Sequence, residues 1–280
     1  MAAVIRYKEE QLHYVYFDGA QAEARIVAYE ANIPSWKEQF ERARLNPGSY
    51  DAHIALAAEM FKVDYNAISK DDYYSANTTD VGECMGSAHP EGSLTLRGKS
   101  KRCRHGLNYR MQVARLAAVT GMTMQEAQYA FDAYHRATPE LQKWWETVIA
   151  EVYRERKLYS CLGRRMEFLG SRIDENLLDS IIAFKPQSAL GDFVCSVQYK
   201  AQEDDKWPRY ARIPFNNHDS LSALCRPKDV QTVALIMRKY AEAPLIIKGE
   251  QLIIPADFKV SYPDEQGIHR WSNLKKLKMQ

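Results

Sequence analysis

Short apolar segments near both ends of this 280-residue chain predict β-strands, whereas most of the sequence between them is helical in character. Residues 13–18 (HYVYFD) are rich in aromatic and β-branched side chains and end on an acid, which is typical of a strand. Residues 212–225 place apolar runs on both sides of a polar Asn-Asn-His-Asp tip and predict a β-hairpin, and residues 251–262 predict a final strand. We therefore predict an α+β fold, an antiparallel sheet with long helices inserted between its strands.

Helical periodicity and capping signals divide the remainder of the chain. Asp51 predicts a helix start, Thr138-Pro139-Glu140 predicts another, and Thr120-Gly121 predicts a break. Residues 64–95 lose periodicity and predict an inserted loop, and Pro186 predicts a kink or a break in a long helix. The predicted helices cover residues 20–31, 35–44, 51–62, 97–120, 124–136, 138–157, 173–203 and 229–242, with paired short strands at 158–170.

Composition narrows the class of protein. A net charge of +2 with 26% charged residues gives no global basicity, but residues 97–110 (RGKSKRCRHGLNYR) are rich in Lys and Arg and contain no acid. A local cluster of this kind fits a polyanionic partner or a solvated helix face. The five scattered cysteines form no C-x-x-C pair, and no apolar run approaches ~18 residues. We expect an intracellular, cytoplasmic protein without a membrane partner.

Two acids end predicted strands and are the candidate metal ligands. Asp18 is followed by Gly19, which allows close backbone approach to a ligand, and Asp219 lies at the tip of the predicted hairpin. Two carboxylates from neighbouring strand ends can hold a pair of Mg²⁺ ions ~3.5–4 Å apart, the arrangement used for in-line displacement at phosphorus. Each acid taken alone is more typical of a turn or a helix cap than of a metal site.

A row of four residues in the basic segment could bind a nucleotide. Arg97, Lys101, His105 and Tyr109 recur every four residues, so on a helix they would share one face over ~18 Å. Cations at one end could hold a triphosphate, while flat rings at the other could stack on bases. The alternative is an amphipathic surface helix.

Three segments, in order, resemble the conserved motifs of family A DNA polymerases, the bacterial DNA polymerase I type. Residues 18–25 (DGAQAEAR) are similar to motif A, residues 97–109 (RGKSKRCRHGLNY) to motif B, and residues 218–220 (HDS) to motif C. The pieces between them, including YDAHIALAAEMF, CLGRRMEFLG and PQSALGDF, are similar as well. The resemblance spans nearly the whole chain, and it implies a right-hand polymerase fold with an antiparallel palm sheet and a long helical fingers insertion.

The resemblance assigns a role to each matching position. It implies that Asp18 and Asp219 are catalytic, that they and the Gly19 carbonyl hold two Mg²⁺ ions, with Mn²⁺ as a substitute, and that the substrates are dNTPs and primer–template DNA. The remaining roles are triphosphate binding by Arg97 and Lys101, packing on the incoming nucleotide by His105, template stacking by Tyr109, exclusion of a 2′-hydroxyl by Glu23, template–primer contact by Gln187 and His218, and support of motif A by Gln21 and Arg25.

The resemblance also implies an organisation in which the thumb and the exonuclease domain are absent. It places the palm strand with motif A and the start of the fingers in 1–62, an inserted loop in 63–96, the fingers with motif B in 97–170, and the palm with motif C in 171–280. We expect a second polypeptide to supply the thumb and first palm strand, as in a fragment or a split polymerase of phage origin acting in the host cytoplasm.

Several positions depart from the family pattern. Ser220 replaces the Glu of motif C, His105 replaces an aromatic residue, Arg110 replaces a Gly, and Asp179 stands where an Arg is expected. These departures leave two alternatives open. One is a catalytically inactive polymerase-like subunit that binds DNA, and the other is a single-subunit RNA polymerase, against which Glu23 argues.

Overall fold

A computed structural model of the chain describes residues 6–7, 10–48, 50–75, 91–169 and 172–279. The fold is α+β, as predicted, and the chain divides into two compact units. The first unit comprises Met1–Ile26, Tyr159–Met166 and Lys185–Gln280, and the second comprises Val27–Leu158 and Glu167–Phe184. Part of the predicted inserted loop, residues 76–90, lies outside the described residues.

The strands and helices of the described residues are numbered in chain order. The strands are β1 (Arg6–Tyr7), β2 (Glu10–Gln11), β3 (His13–Gly19), β4 (Lys157–Tyr159), β5 (Arg165–Glu167), β6 (Arg212–Asn216), β7 (Ser220–Cys225), β8 (Leu245–Ile247), β9 (Glu250–Leu252), β10 (Ala256–Pro263) and β11 (His269–Lys276). The α-helices are α1 (Ala22–Glu30), α2 (Pro34–Leu45), α3 (Ala52–Phe61), α4 (Leu96–Leu107), α5 (Val113–Thr120), α6 (Met124–Ala137), α7 (Pro139–Glu155), α8 (Glu175–Gln202) and α9 (Val230–Ala241).

The first unit is built on a five-stranded antiparallel sheet in the order β11-β10-β3-β7-β6. Alternation along β3 gives the sheet one buried face, where Val15 and Phe17 lie against α9 and Phe17 stacks on Phe258 at 5.8 Å between ring centroids. Tyr16, which lies between them, and Asp18, which follows Phe17, are on the opposite face because successive side chains of a strand alternate. The sheet therefore presents the strand-end acid on the face away from its helix-covered core.

The second unit is a helical assembly around a core of large side chains. Trp36 and Phe40 of α2 are buried, and the guanidinium of Arg104 lies over both rings at 4.7 and 5.1 Å from their centroids. Arg104 is itself 1% exposed, and burial lowers its pKa to about 10. Although Arg104 belongs to the basic segment, it therefore packs in the core through cation–π contacts and does not lie on a solvated or ligand-binding face.

Local signals identified most element ends correctly. Asp51 caps α3, since its carboxylate accepts hydrogen bonds from the backbone N–H groups of His53 and Ile54 at 2.7 and 3.2 Å. α7 begins at Pro139, and α5 ends at Thr120, followed by Gly121, which adopts a φ of 70° as helix-terminal glycines do. α8 runs without a break through Pro186, so the break alternative was wrong.

Two element predictions need correction. The predicted final strand at 251–262 is two strands, β9 and β10, and β11 follows them at the sheet edge. The sequence hid β11 because an edge strand exposed on both faces lacks apolar alternation. In addition, α4 ends at Leu107, so Tyr109 lies in the following turn and not on the helix row predicted for it. In the described part of the chain, no helix has the length and apolar character needed to cross a bilayer.

Candidate active site

The site residues predicted from the sequence fall into both units. Asp18, Gly19, Glu23, Gln187, His218 and Asp219 belong to the first unit, and Arg97, Lys101, His105 and Tyr109 belong to the second. The two groups are therefore described separately, the acids of the sheet first and the basic helix after them.

The two predicted metal-binding acids lie at adjacent strand ends. Asp18, near the end of β3, pairs in register with Ser220, the first residue of β7, and Asp219 immediately precedes that residue. The backbone N–H of Gly19 donates to the carbonyl of Asp219 at 3.1 Å, which ties the two strand ends together. A Cβ on Gly19 would lie 3.1 Å from that of Ala22 and 3.5 Å from the Asp219 carbonyl oxygen, so the absence of a side chain permits this close packing.

Electrostatics at this corner favour a cation. Burial and, to a lesser extent, the nearby charge of Asp219 together raise the pKa of Asp18 to about 6, against a hydrogen bond from Tyr16 that lowers it. Burial and a second carboxylate disfavour the ionised form of Asp18. A cation bound at this position would stabilise that ionised form.

Three residues that the sequence analysis missed surround Asp18. Asp257 of β10 pairs with Asp18 in register and contributes negative charge to it, while Lys259, two residues further on, contributes positive charge. The hydroxyl of Tyr16 hydrogen-bonds with the side chains of Asp18 and Ser220. The sequence does show an acid, Asp257, within the predicted C-terminal strand. Only the pairing of β10 with β3 shows that this acid lies beside Asp18.

The donor set at this corner fits divalent cations. Mg²⁺ is commonly bound by one or two protein carboxylates together with water and substrate phosphates, and not by a cage of protein ligands. Asp18 and Asp219 supply two carboxylates, and among the residues that the structure describes no group of three or more His, Cys, Asp or Glu could hold a metal ion. Water and substrate phosphates would therefore have to complete the coordination of a cation at this corner.

A hydrogen-bonded chain joins motif A, α8 and motif C. The Nε2 atom of Gln187 donates to the carboxylate of Glu23 at 3.1 Å, and the backbone carbonyl of Gln187 lies 3.1 Å from Nε2 of His218. Since a carbonyl only accepts, Nε2 of His218 carries the proton. His218 has a φ of 66°, and its N–H donates to the side chain of Asn216 at 3.2 Å. Three predicted site residues, Glu23, Gln187 and His218, are thereby brought together.

Arg25 supports motif A from beneath. It is 3% exposed, and its Nε donates to the carbonyl oxygen of Ala20 at 2.9 Å. Gln21 begins this turn with a φ of 54°. The contact fixes the backbone just after Gly19.

In the second unit, acids pair with the two predicted phosphate-binding cations. Arg97 donates to the carboxylate of Asp51 at 2.9 Å and forms an ion pair with Asp72, which also accepts from Nζ of Lys101 at 2.8 Å. These cations hold the pKa of Asp72 below its usual value although its partial burial acts in the opposite direction. Arg97 and Lys101 thus lie together on α4, and Asp72 from the preceding segment pairs with both.

The end of α4 is fixed by a buried asparagine. The side chain of Asn108 accepts a hydrogen bond from Tyr134 at 2.8 Å, and its carbonyl accepts one from Trp145 at 3.0 Å. Tyr109, the next residue, is half-buried in the turn, and His105 is exposed on the last turn of α4. The ring of Tyr109 is thus placed by a rigid turn, not by helical spacing.

Two departures from the family pattern compensate each other. Arg110, with a φ of 64°, forms ion pairs with Glu175 at 2.9 Å and with Asp179 at 3.3 Å. The unexpected arginine and the unexpected aspartate are therefore partners, which the sequence could not show across 69 positions.

Comparison with known proteins agrees with the geometry. The family model for DNA polymerase family A matches residues 2–262. The chain belongs to DNA polymerase family A. A search of the curated proteins finds no match to the sequence.

Among solved structures, the chain resembles the POL domain of Pol1 from M. smegmatis in complex with DNA primer-template and dNTP. The TM-score is 0.66 at 18% sequence identity, and the match covers 89% of this chain and 40% of that one. The likeness establishes a polymerase-domain fold, of which the chain spans less than half the length.

Proposed function

We propose that this chain is a DNA-directed DNA polymerase subunit or fragment that adds dNTPs to a primer 3′-hydroxyl. The observation that carries the proposal is that Asp18 and Asp219 lie at adjacent strand ends at one corner of the sheet, where the charge of Asp219 opposes the ionisation of Asp18. Membership of family A supplies the reaction class. In this proposal the first unit is the palm, and the second unit is the fingers.

The chain's own residues would position the reactants. Asp18, Asp219 and the Gly19 carbonyl would hold two Mg²⁺ ions, which when bound neutralise phosphate charge and activate the attacking hydroxyl. Glu23, oriented by Gln187, would lie under the sugar and reject a 2′-hydroxyl. Phosphoryl transfer is largely a matter of positioning and electrostatic stabilisation, so few side chains are needed.

The basic helix would bind the nucleotide and the template. Arg97 would grip the triphosphate with its planar guanidinium, and Lys101 would add a point charge. His105 would pack on the nucleotide, and Tyr109 would stack at the template position. Gln187 and His218 would contact the primer–template near the primer end.

The proposal includes a second polypeptide that carries a thumb. The match covers 40% of the mycobacterial polymerase domain, and the remainder of such a domain would come from another polypeptide or from a longer form of this one. A requirement for the product of the neighbouring reading frame in primer extension would support a split polymerase. Full processive extension by the chain alone would contradict it.

The deciding experiment is primer extension with Mg²⁺ and dNTPs, comparing Asp219→Asn with Asp205→Asn. Both substitutions remove one carboxylate charge from the first unit, but Asp205 is an exposed residue outside the strand-end corner. We expect Asp219→Asn to lower turnover by at least ~100-fold, the size of effect seen when a charge-stabilising group is lost, and Asp205→Asn to leave it unchanged.

Two outcomes would overturn the proposal. Equal activity of the two variants would show that Asp219 is no catalytic ligand. DNA binding without extension by the natural chain, with or without the partner, would favour the inactive subunit, and extension with ribonucleotides in preference to dNTPs would favour an RNA polymerase.

A further inference from the structure

Beyond residue 262, where the family match ends, the chain adds the edge strand β11 to the sheet. β11 pairs with β10 so that Lys276 lies opposite Lys259 and Lys275 lies opposite Val260. Val260 is buried on the core side of the sheet, whereas Lys259 pairs with Tyr16 on the side of Asp18. Lys276 and Lys275 therefore point to opposite faces, and only Lys276 shares the face of the acids.

An aromatic row runs along that face from the acids towards β11. Tyr14 and Tyr16 precede Asp18 at two-residue intervals on β3, and the ring of Trp271 meets both edge-on at 5.9 and 5.2 Å between centroids. Trp271 remains 41% exposed in spite of these contacts. A large indole that is held in place yet open to solvent offers a flat surface to a ligand.

The charge beside this row is positive. Lys259 lies 6.0 Å from the centroid of the Tyr16 ring, and Lys276 is exposed next to it in register. The last segment, from His269 to Gln280, contains no acid. Arg270 forms an ion pair with Asp264 and is therefore not counted in the cluster named next. We call Tyr14, Tyr16, Lys259, Trp271 and Lys276 the aromatic–basic strip.

We propose that the aromatic–basic strip binds a nucleic-acid strand, with the two lysines on its phosphates and Trp271 against a base or sugar. Aromatic faces interleaved with cations are the combination that binds a strand without reading its sequence. Along β3, the distance from Asp18 to Tyr14 at the far end of the strip is ~13 Å at ~3.4 Å per residue, about the length of four base-pair rises. It deepens the proposed function, on which it rests, by naming where the strand whose end reaches the acids is held.

The test is equilibrium binding of labelled DNA to the full chain without metal or dNTP. Fluorescence anisotropy would be measured for a single-stranded oligo-dT and for a duplex with a recessed 3′ end over a range of salt concentrations. Lys276→Gln and Lys275→Gln form a matched pair, since they remove the same charge from adjacent residues on opposite faces. Trp271→Ala and Trp271→Phe form a second pair.

We expect Lys276→Gln to weaken binding and to reduce the slope of log K against log salt by about 0.7–0.9, the contribution of one phosphate contact, for at least one DNA form. Lys275→Gln should leave the slope unchanged. Trp271→Ala should weaken binding roughly 5-fold or more, with substantial recovery in Trp271→Phe. Circular dichroism melts would show whether Trp271→Ala still folds, and the lysine pair decides the question if it does not.

Equal effects of the two lysine variants, or none from either, would overturn the proposal, because binding would then depend on overall charge or on another surface. This outcome is separable from failure of the polymerase assignment. A chain that binds DNA through Lys276 but never extends a primer refutes the activity and leaves the strip standing.

Discussion

Removing the charge of Asp72 should increase the affinity of the chain for a nucleoside triphosphate. The carboxylate of Asp72 contacts both Arg97 and Lys101, the cations proposed to bind the triphosphate. Its backbone is also fixed, because its carbonyl accepts from the N–H of Thr95 at 3.1 Å, and a Cβ on Gly98 would collide with the same carbonyl oxygen. Asp72 is thus held where a phosphate group would have to displace it.

The size of the effect follows from the exposure of the three partners. The side chain of Lys101 is 50% exposed, so its pair with Asp72 is worth less than ~1 kcal/mol. The side chain of Arg97 is 17% exposed, and a charge-assisted hydrogen bond in such surroundings is worth ~1.5 kcal/mol or more. Asp51 would retain part of the Arg97 interaction. We therefore expect Asp72→Asn to tighten triphosphate binding by ~1–2 kcal/mol, roughly 5- to 30-fold.

Titration calorimetry with dATP and Mg²⁺ would measure this change, with Asp71→Asn as the matched control. Asp71 is the neighbouring exposed acid, and its backbone carbonyl, not its side chain, accepts from Thr95. The tightening should disappear when Asp72→Asn is combined with both Arg97→Gln and Lys101→Gln. Equal affinities of the Asp72 and Asp71 variants would refute the reasoning, and tight binding that persists without Lys101 and Arg97 would refute their assignment to the triphosphate.

Three further predictions concern the first unit. Glu23→Ala should raise ribonucleotide incorporation in primer extension, and unchanged sugar discrimination would count against its steric role. Asp257→Asn should raise the Mg²⁺ concentration for half-maximal extension by roughly tenfold, as loss of a group next to metal ligands does, and a wild-type metal titration would contradict this. Burial and the nearby His269 lower the pKa of His13 to about 4 from 6.5, so its contribution to stability is complete above 6.5 and is lost as the pH falls towards 4. We expect this loss of stability to be about 1 kcal/mol, a value reduced because His13 is partly exposed. His13→Phe keeps a ring against His269 and should remove the loss. Thermal melts between pH 6.5 and 4 would measure it, and an equal fall in stability with pH in the variant would contradict the prediction.

The strands that carry the acids were predictable because one face of the sheet is buried. Val15 and Phe17 point into the core and impose alternation on β3, and the polar tip after β6 marks the turn that carries Asp219. Capping signals such as Asp51 were equally informative, since a helix end must satisfy its own backbone groups locally. What was predictable therefore depended on interactions within a few residues of each other.

The features that escaped prediction depend on partners far away in sequence. The position of Asp257 beside Asp18 requires strands separated by more than two hundred residues to pair, and Asp72 meets Arg97 across 25 positions. Arg104 looked like one more surface cation until the rings of α2 were placed around it. Charge in a sequence thus shows what a segment could bind, but only tertiary contacts show which charges remain available.

Both charged clusters are arranged so that a ligand would relieve an existing electrostatic cost or replace an existing partner. At the sheet corner, burial and the charges of Asp219 and Asp257 raise the pKa of Asp18, so a bound cation would relieve the repulsion between these carboxylates. On α4, Asp72 already satisfies Arg97 and Lys101, so an anion must compete for them. Under the proposed function, a metal would therefore be favoured at the sheet corner, whereas triphosphate binding on α4 would be opposed by Asp72. Asp72, a residue outside the three family motifs, would then be a determinant of how tightly the nucleotide is held.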